Sequence, residues 1–405
     1  MLLLVTLVGN LTSCLSVKAQ NLTEGIAYLP AKGAKPDDAF YKHIADISIN
    51  LFREASDDNK NSLVSPFSVI LALAMTANGA DSETLEQIQA FLGGDIPLSK
   101  INEYLYYEIQ LLNHDKTKYN VANSVWFRDD ENRLVVEKEF LQTLAYYYKA
   151  EAYKAPFNNG TLNDINKWVK KNTDGMIDKI LEQIDEDTVM YLINAIVFEA
   201  EWKKVYNKND ISSGQFTDIS GKKQTVEFMF SEEGLYLDDG KATGFIKPYY
   251  NDLYSFVALM PNEDIAIEEY INSLTGDSFL NTVNSAQKTL VSASLPKFSY
   301  DYTVKMNDAL KRLGIKNAFS ATEADFTKLG KSSRGNIFIG EVLHKTYISV
   351  DELGTKAGAV TKVEMKDEAY IESKIVRLDR PFVYAIIDNA TGIPIFIGTV
   401  MSIDN

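Results

Sequence analysis

Between about Val350 and Pro381 the chain carries the side-chain pattern of a β-strand in a composition that belongs to an exposed connection. From Thr355 onward every second residue is small or apolar: Thr355, Ala357, Ala359, Thr361, Val363, Met365. The residues between them are Lys356, Gly358, Val360, Lys362, Glu364 and Lys366, and only Val360 suits a core. A period of two sends the first set to one face of a strand and the second set to the other. No proline occurs from Lys297 to Arg380, so nothing in the stretch loses a ladder hydrogen bond. Gly354, Gly358 and the run Lys366-Asp367-Glu368 nevertheless describe a solvated segment. A connection with this pattern is a strand held in reserve.

The rest of the chain must supply a body large enough to hold such a strand back. With 405 residues, 45% hydrophobic and 11% aromatic, it can bury a sizeable core. Its 41 basic and 56 acidic residues give a net charge of −15, which argues against nucleic acid and anionic membranes as partners. No basic cluster stands out, so no heparin-type site is expected. Residues 1–17, an apolar run closing on small residues, are too short to span a bilayer and read as a secretory signal. Leu11-Thr12-Ser13-Cys14 also resembles a bacterial lipobox, although the run lacks basic residues at its start. The expected location is extracellular, secreted or held at the cell surface as a lipoprotein through Cys14. Cys14 is the sole cysteine, so no internal disulfide can form.

Residues 18–36 read as a tether, and 37–405 as one mixed α+β domain with helices mostly early and strands mostly late. Phe40, Ile44, Ile47 and Leu51 share a helical face. Ser65 and Pro66 open a second helix, apolar nearly all round from Phe67 to Ala77 and followed by Gly79, which predicts an interior position. Asp81-Ser82 opens a third helix that stops at Gly93-Gly94. Strands are expected at Val121–Phe127, Val189–Phe198, Phe245–Pro248, Leu253–Met260, Leu290–Pro296 and Ile337–Val350, then across Ile375–Ile397 with a break at Asp388–Pro394.

Seven motifs then follow one another in a recognisable order. They are Ser65-Pro66-Phe67-Ser68, Leu192-Ile193-Asn194-Ala195 with Phe198 and Trp202, and Leu259-Met260-Pro261. Next come Leu295-Pro296-Lys297-Phe298, Leu343-His344-Lys345, Glu352-Leu353-Gly354-Thr355, and Asp379-Arg380-Pro381-Phe382 through Phe396-Ile397-Gly398. Over nearly its whole length after the tether the chain resembles a serpin of the inhibitory type. The resemblance implies three β-sheets, eight or nine helices and an exposed reactive-centre loop that a target protease cleaves. The cleaved loop then inserts into the largest sheet and carries the acylated protease with it. Serpin loop insertion is a standard example of stored strain released and of strand addition.

The same resemblance assigns residues. Glu352, Gly354, Thr355, Lys356, Ala357, Gly358 and Ala359 form the hinge, where small inward side chains ease insertion. Lys356 stands where the family usually has glutamate, on the outward face. Ser68, Asn194 and His344 map to the region where the main sheet opens, and Trp202 to the point where the loop first joins it. Counting about seventeen residues from Glu352 places the scissile bond at Glu368-Ala369; counting back from Pro381 favours a cut after Tyr370. Insertion length is measured from the hinge, which favours the first count. Glu368 suits a protease with a basic pocket, while Lys366, Ala369 or Tyr370 suit trypsin-, elastase- or chymotrypsin-like enzymes.

A histidine near a serine also invites a hydrolase reading. The three histidines, His43, His114 and His344, fall in no nucleophile-elbow or zincin spacing, so no catalytic residue and no metal site is expected. His344 is expected instead to bond Asn194 as a structural latch. Asn21, Asn159 and Asn389 head glycosylation sequons, which matter only in a eukaryotic source. The expected function is inhibition of serine and also cysteine endopeptidases by a cofactor-free monomer, with a non-inhibitory carrier as the alternative.

Overall fold

In a computed structural model describing residues 19–26, 31–112, 117–129, 133–355 and 373–403, the helical spacing after Pro36 becomes α1 (Asp38–Ala55). Asp37 caps it by accepting the Phe40 amide, and Phe40, Ile44, Ile47 and Leu51 are all buried. Every residue of α2 (Pro66–Ala77) is buried, as its all-round apolar surface requires. Ser65 precedes it as expected, but its hydroxyl does not cap the helix; Oγ donates to the Ile395 carbonyl instead. The other helices are α3 (Ser82–Gly93), α4 (Leu98–Gln110), α5 (Lys138–Thr143), α6 (Asn159–Asn172), α7 (Ile267–Ser273), α8 (Gly276–Asn284) and α9 (Asn307–Arg312).

The strands of the first half are β1 (Gln20–Asn21), β2 (Ser62–Val64), β3 (Thr117–Arg128), β4 (Leu134–Val136), β5 (Glu151–Ala155), β6 (Met190–Glu201), β7 (Ile211–Thr217), β8 (Lys223–Asp238) and β9 (Ala242–Pro248). Those of the second half are β10 (Tyr254–Pro261), β11 (Gln287–Pro296), β12 (Phe298–Lys305), β13 (Gly330–Ser332), β14 (Glu341–Val350), β15 (Gly354–Thr355), β16 (Lys374–Arg377), β17 (Phe382–Asp388) and β18 (Pro394–Val400). They form three sheets: a seven-stranded one in the order β1-β5-β3-β6-β15-β14-β12, a nine-stranded one, and the pair β4–β13. With nine α-helices among the described residues, the fold class is the expected α+β.

Two expectations need correction. The segment read as a tether is docked where it is described: Gln20–Asn21 pairs antiparallel with Lys154 and Tyr153 at the sheet edge, and the Ala34 amide donates to the Glu103 carbonyl. Edge strands carry unpaired backbone groups, and a short extended segment satisfies them wherever it passes. The strand expected from Ile337 begins at Glu341, because Ile337 and Ile339 pack into the core without joining a ladder.

The seven-stranded sheet is covered on both faces. α2 lies against β3 and β6 on one side and reaches β18 of the second sheet on the other. On the outer face α6 buries Ile165, Trp168 and Val169 with Tyr191, Ile193, Ala195 and Leu343. The centre of this sheet, where β6 meets β14, is thereby enclosed from both directions.

Candidate functional site

The central seam of the large sheet is irregular in a way that bears directly on function. β6 is antiparallel to β3 along eleven residue pairs, and β14 is antiparallel to β12 along eight. β6 and β14 themselves run parallel, in direct register only from Tyr191↔Glu341 to Ile196↔Thr346. Parallel pairing is the slightly weaker kind per residue. Beyond Ile196 and Thr346 the strands part, and β15 occupies the gap. It is antiparallel to both neighbours, with Thr355 opposite Ala200 on one side and Val350 on the other. A strand laid along the whole seam in this sense would exchange one parallel ladder for two antiparallel ones.

A four-residue reversal feeds β15 into the gap. Asp351 accepts the amides of Leu353 (2.9 Å) and Gly354 (3.2 Å), so its carboxylate shapes the turn, and burial pushes its pKa above the usual carboxylate range. Glycine is required at 354 by close approach, since a Cβ there would sit 2.1 Å from the Ala200 carbonyl oxygen. Thr355 is 1% exposed, and its Oγ1 lies 2.6 Å from the Tyr249 hydroxyl. Trp202 stacks on Tyr249, with centroids 4.5 Å apart, and its Nε1 donates to the Asp351 carbonyl at 2.8 Å. Its backbone amide donates to Leu353, and that of Tyr206 to Glu352. Glu352 reaches outward to Lys297 at 2.8 Å, which holds its carboxyl below the usual range; Lys297 also contacts Glu227. At 24% and 38% exposure that pair contributes under about 1 kcal/mol.

Where the seam is zipped, a directed polar network crosses it. The Ser65 amide can only donate, so the His344 Nε2 it meets at 3.0 Å is the acceptor. Nδ1 therefore carries the proton and donates to Asn194 Oδ1 at 2.6 Å. The Asn194 amide nitrogen donates in turn to the Ser68 carbonyl (3.0 Å) and to Asn123 Oδ1 (2.5 Å). Desolvation pushes the His344 pKa down to about 3, and a second ring proton would also point at the Ser65 amide. The imidazole is neutral and locked.

The expected hydrogen bond between His344 and Asn194 is thus present. Ser68 joins them through its carbonyl; its buried hydroxyl has no hydrogen-bond partner among the described residues. Glu352, Gly354, Thr355 and Trp202 come together at the parted end of the seam, beyond the zipped stretch that holds Asn194 and His344. Lys356, Ala357, Gly358, Ala359, Lys366, Glu368, Ala369 and Tyr370 lie outside the described residues, as do Cys14 and His114. Sequence reasoning did not single out Asn123, Tyr249 or Ser65 as members of the site. Ser65 and Lys297 stood within quoted motifs, whereas the contact of Tyr249 with Thr355 spans 106 positions and leaves no local signal.

A sequence profile described as serpin (serine protease inhibitor) matches residues 42–403. The chain belongs to the serpin family. It is 53% identical to tengpin, a thermophilic serpin, whose native-state crystal structure superposes with a TM-score of 0.92 over 96% of this chain and 100% of that one. Against the latent state of tengpin the TM-score is 0.82, over 92% and 100%. Human neuroserpin is 28% identical over 377 residues, 88% of this chain and 90% of neuroserpin.

Proposed function

We propose that this serpin inhibits serine endopeptidases, and also cysteine endopeptidases, by trapping them covalently as the reactive loop inserts between β6 and β14. The observation that carries the reading is the seating of Gly354 and Thr355, already antiparallel to both strands at the parted end of a parallel seam. Continued at the same register, six residues beyond Thr355, Thr361 comes between Asn194 and His344. Ala357 and Ala359 come beside Phe198 and Ile196, and their small volume suits a face already filled by α2. Insertion must therefore break the His344–Asn194 hydrogen bond, which makes that bond the catch on the seam.

The chemistry belongs to the protease. Its serine Oγ attacks the Glu368 carbonyl carbon, the Glu368-Ala369 amide breaks, and the proton lost by the serine goes to the new amino terminus of Ala369. An ester then joins the protease to Glu368, and inserting the loop carries that ester to the far end of the sheet before water can hydrolyse it. Export through the amino-terminal signal, as a secreted protein or one held at the cell surface through Cys14, and action as a monomer complete the reading. Mixing the protein with proteases of several specificities should yield a complex that survives boiling in detergent. Clean cleavage with no complex would point to a carrier, and turnover without consumption to a hydrolase.

Glu368→Arg is expected to raise the rate of trapping of trypsin-like enzymes by at least about tenfold, because a basic residue before the cut matches an acidic pocket. Mass spectrometry of the released fragment checks the bond. Unchanged preference among proteases would place the cut elsewhere.

A further inference from the structure

Glu233 of β8 and Lys247 of β9 form an ion pair sealed from solvent, 2.8 Å apart with side chains 8% and 2% exposed. Burying two charges gains little over an apolar pair of the same volume, so stability alone is a weak reason for such a contact. What the ammonium touches is more informative. Ser231 Oγ and the Lys247 ammonium both donate to Glu233 Oε1, at 2.6 and 2.8 Å, and the other side of the ammonium faces two rings. Nζ lies 4.3 Å from the centroid of Tyr206 and 5.4 Å from that of Trp202. In a desolvated setting both are favourable cation–π distances. Tyr206 and Trp202 are also the residues whose backbone amides, with the Trp202 indole, hold the carbonyls of Asp351, Glu352 and Leu353. The chain of contacts therefore runs from Glu233 through Lys247 and the two rings to the turn that delivers Thr355.

We infer that the Glu233–Lys247 pair is a positioning element for loop insertion: it fixes the two rings, and through them the pivot about which the cleaved loop swings into the seam. The inference rests on the trapping mechanism proposed above. After cleavage the acyl-enzyme partitions between insertion, which traps the protease, and hydrolysis, which frees it. A pivot held less firmly slows the first branch and leaves the second alone, so more inhibitor is consumed for each protease trapped.

The test compares the wild type with Lys247→Met and with the double variant Glu233→Gln, Lys247→Met, which leaves no lone buried charge and keeps a partner for Ser231. For each, titration against a protease that the wild type traps gives the moles of inhibitor used per mole of enzyme inactivated. Melting of the intact and loop-cleaved forms is followed in parallel. Both variants are expected to raise the stoichiometry at least about threefold, and the cleaved double variant to melt close to the cleaved wild type, whereas Lys247→Met, which leaves Glu233 buried and unpaired, melts lower in both forms. A merely structural pair would lower the melting of intact and cleaved forms alike and leave the stoichiometry at the wild-type value; that result overturns the inference. Wild-type protein that traps no protease overturns the mechanism itself, and this inference with it.

Discussion

Replacing Thr355 with arginine is expected to abolish trapping and to leave a protein that proteases cut as an ordinary substrate. Thr355 follows Gly354 into the sheet and is 1% exposed, against the Tyr249 hydroxyl. A guanidinium there meets the stacked Trp202–Tyr249 pair and the backbone of β6. Burying a charge without a partner costs several kcal/mol, and each 1.4 kcal/mol is about a factor of ten in rate. Insertion should slow by about a hundredfold or more, enough for hydrolysis to win every turnover. The arginine can be expelled with its two-residue strand, so the rest of the fold should survive, with melting of the intact form within a few degrees. Thr355→Ser, which keeps the hydroxyl, should trap normally. Undiminished trapping by Thr355→Arg would mean that the loop does not enter the seam at this point.

The second large effect is expected at the catch. Asn194→Ala removes the acceptor for His344 Nδ1 and the donor to Ser68 and Asn123, all within a site closed to water. Each buried polar group left unpaired costs about 1–3 kcal/mol, so the intact form should lose about 3–5 kcal/mol. For a chain of this size that is a fall of roughly 4–6 °C in melting temperature. The cleaved form, in which insertion at the proposed register would bring the Thr361 hydroxyl between the two positions, should lose much less. Equal losses in both forms would contradict the role of the network as a catch. His344 adds a pH dependence whose sign is fixed. Its pKa falls from the ordinary 6.5 to about 3 on folding, so the unfolded chain binds the proton first as pH drops. Stability of the intact form should be insensitive to this group above pH 6.5. It should then decline by up to about 1.4 kcal/mol per pH unit towards pH 3. His344→Gln should flatten that slope, as urea melts across the range would show.

Much of this was legible in the residues. α2 could be placed in the interior because no face of it is polar, and the inward parity of Thr355 followed from the alternation that begins there. Less visible were elements whose burial is decided by distant partners. β8, sixteen residues long, alternates imperfectly and carries four acidic residues among its apolar ones, so no short-period signal marks it. Lys247 lay in an expected strand, yet nothing near it announces that its charge is buried, because Glu233 sits on that unrecognised strand. The docking of Gln20–Asn21 was hidden for the opposite reason: an edge accepts almost any extended backbone, and composition does not encode it. The length of the zipped seam is a matter of register between strands some 150 positions apart, which no local pattern contains.

The central claim is that the intact molecule keeps a weaker parallel seam which its own loop is able to replace. Calorimetry of the intact protein beside the same protein cut once within 356–372 tests it most directly. The cut form is predicted to melt tens of degrees higher, having gained a full central strand. Equal or lower melting of the cut form would mean that the loop never enters the sheet.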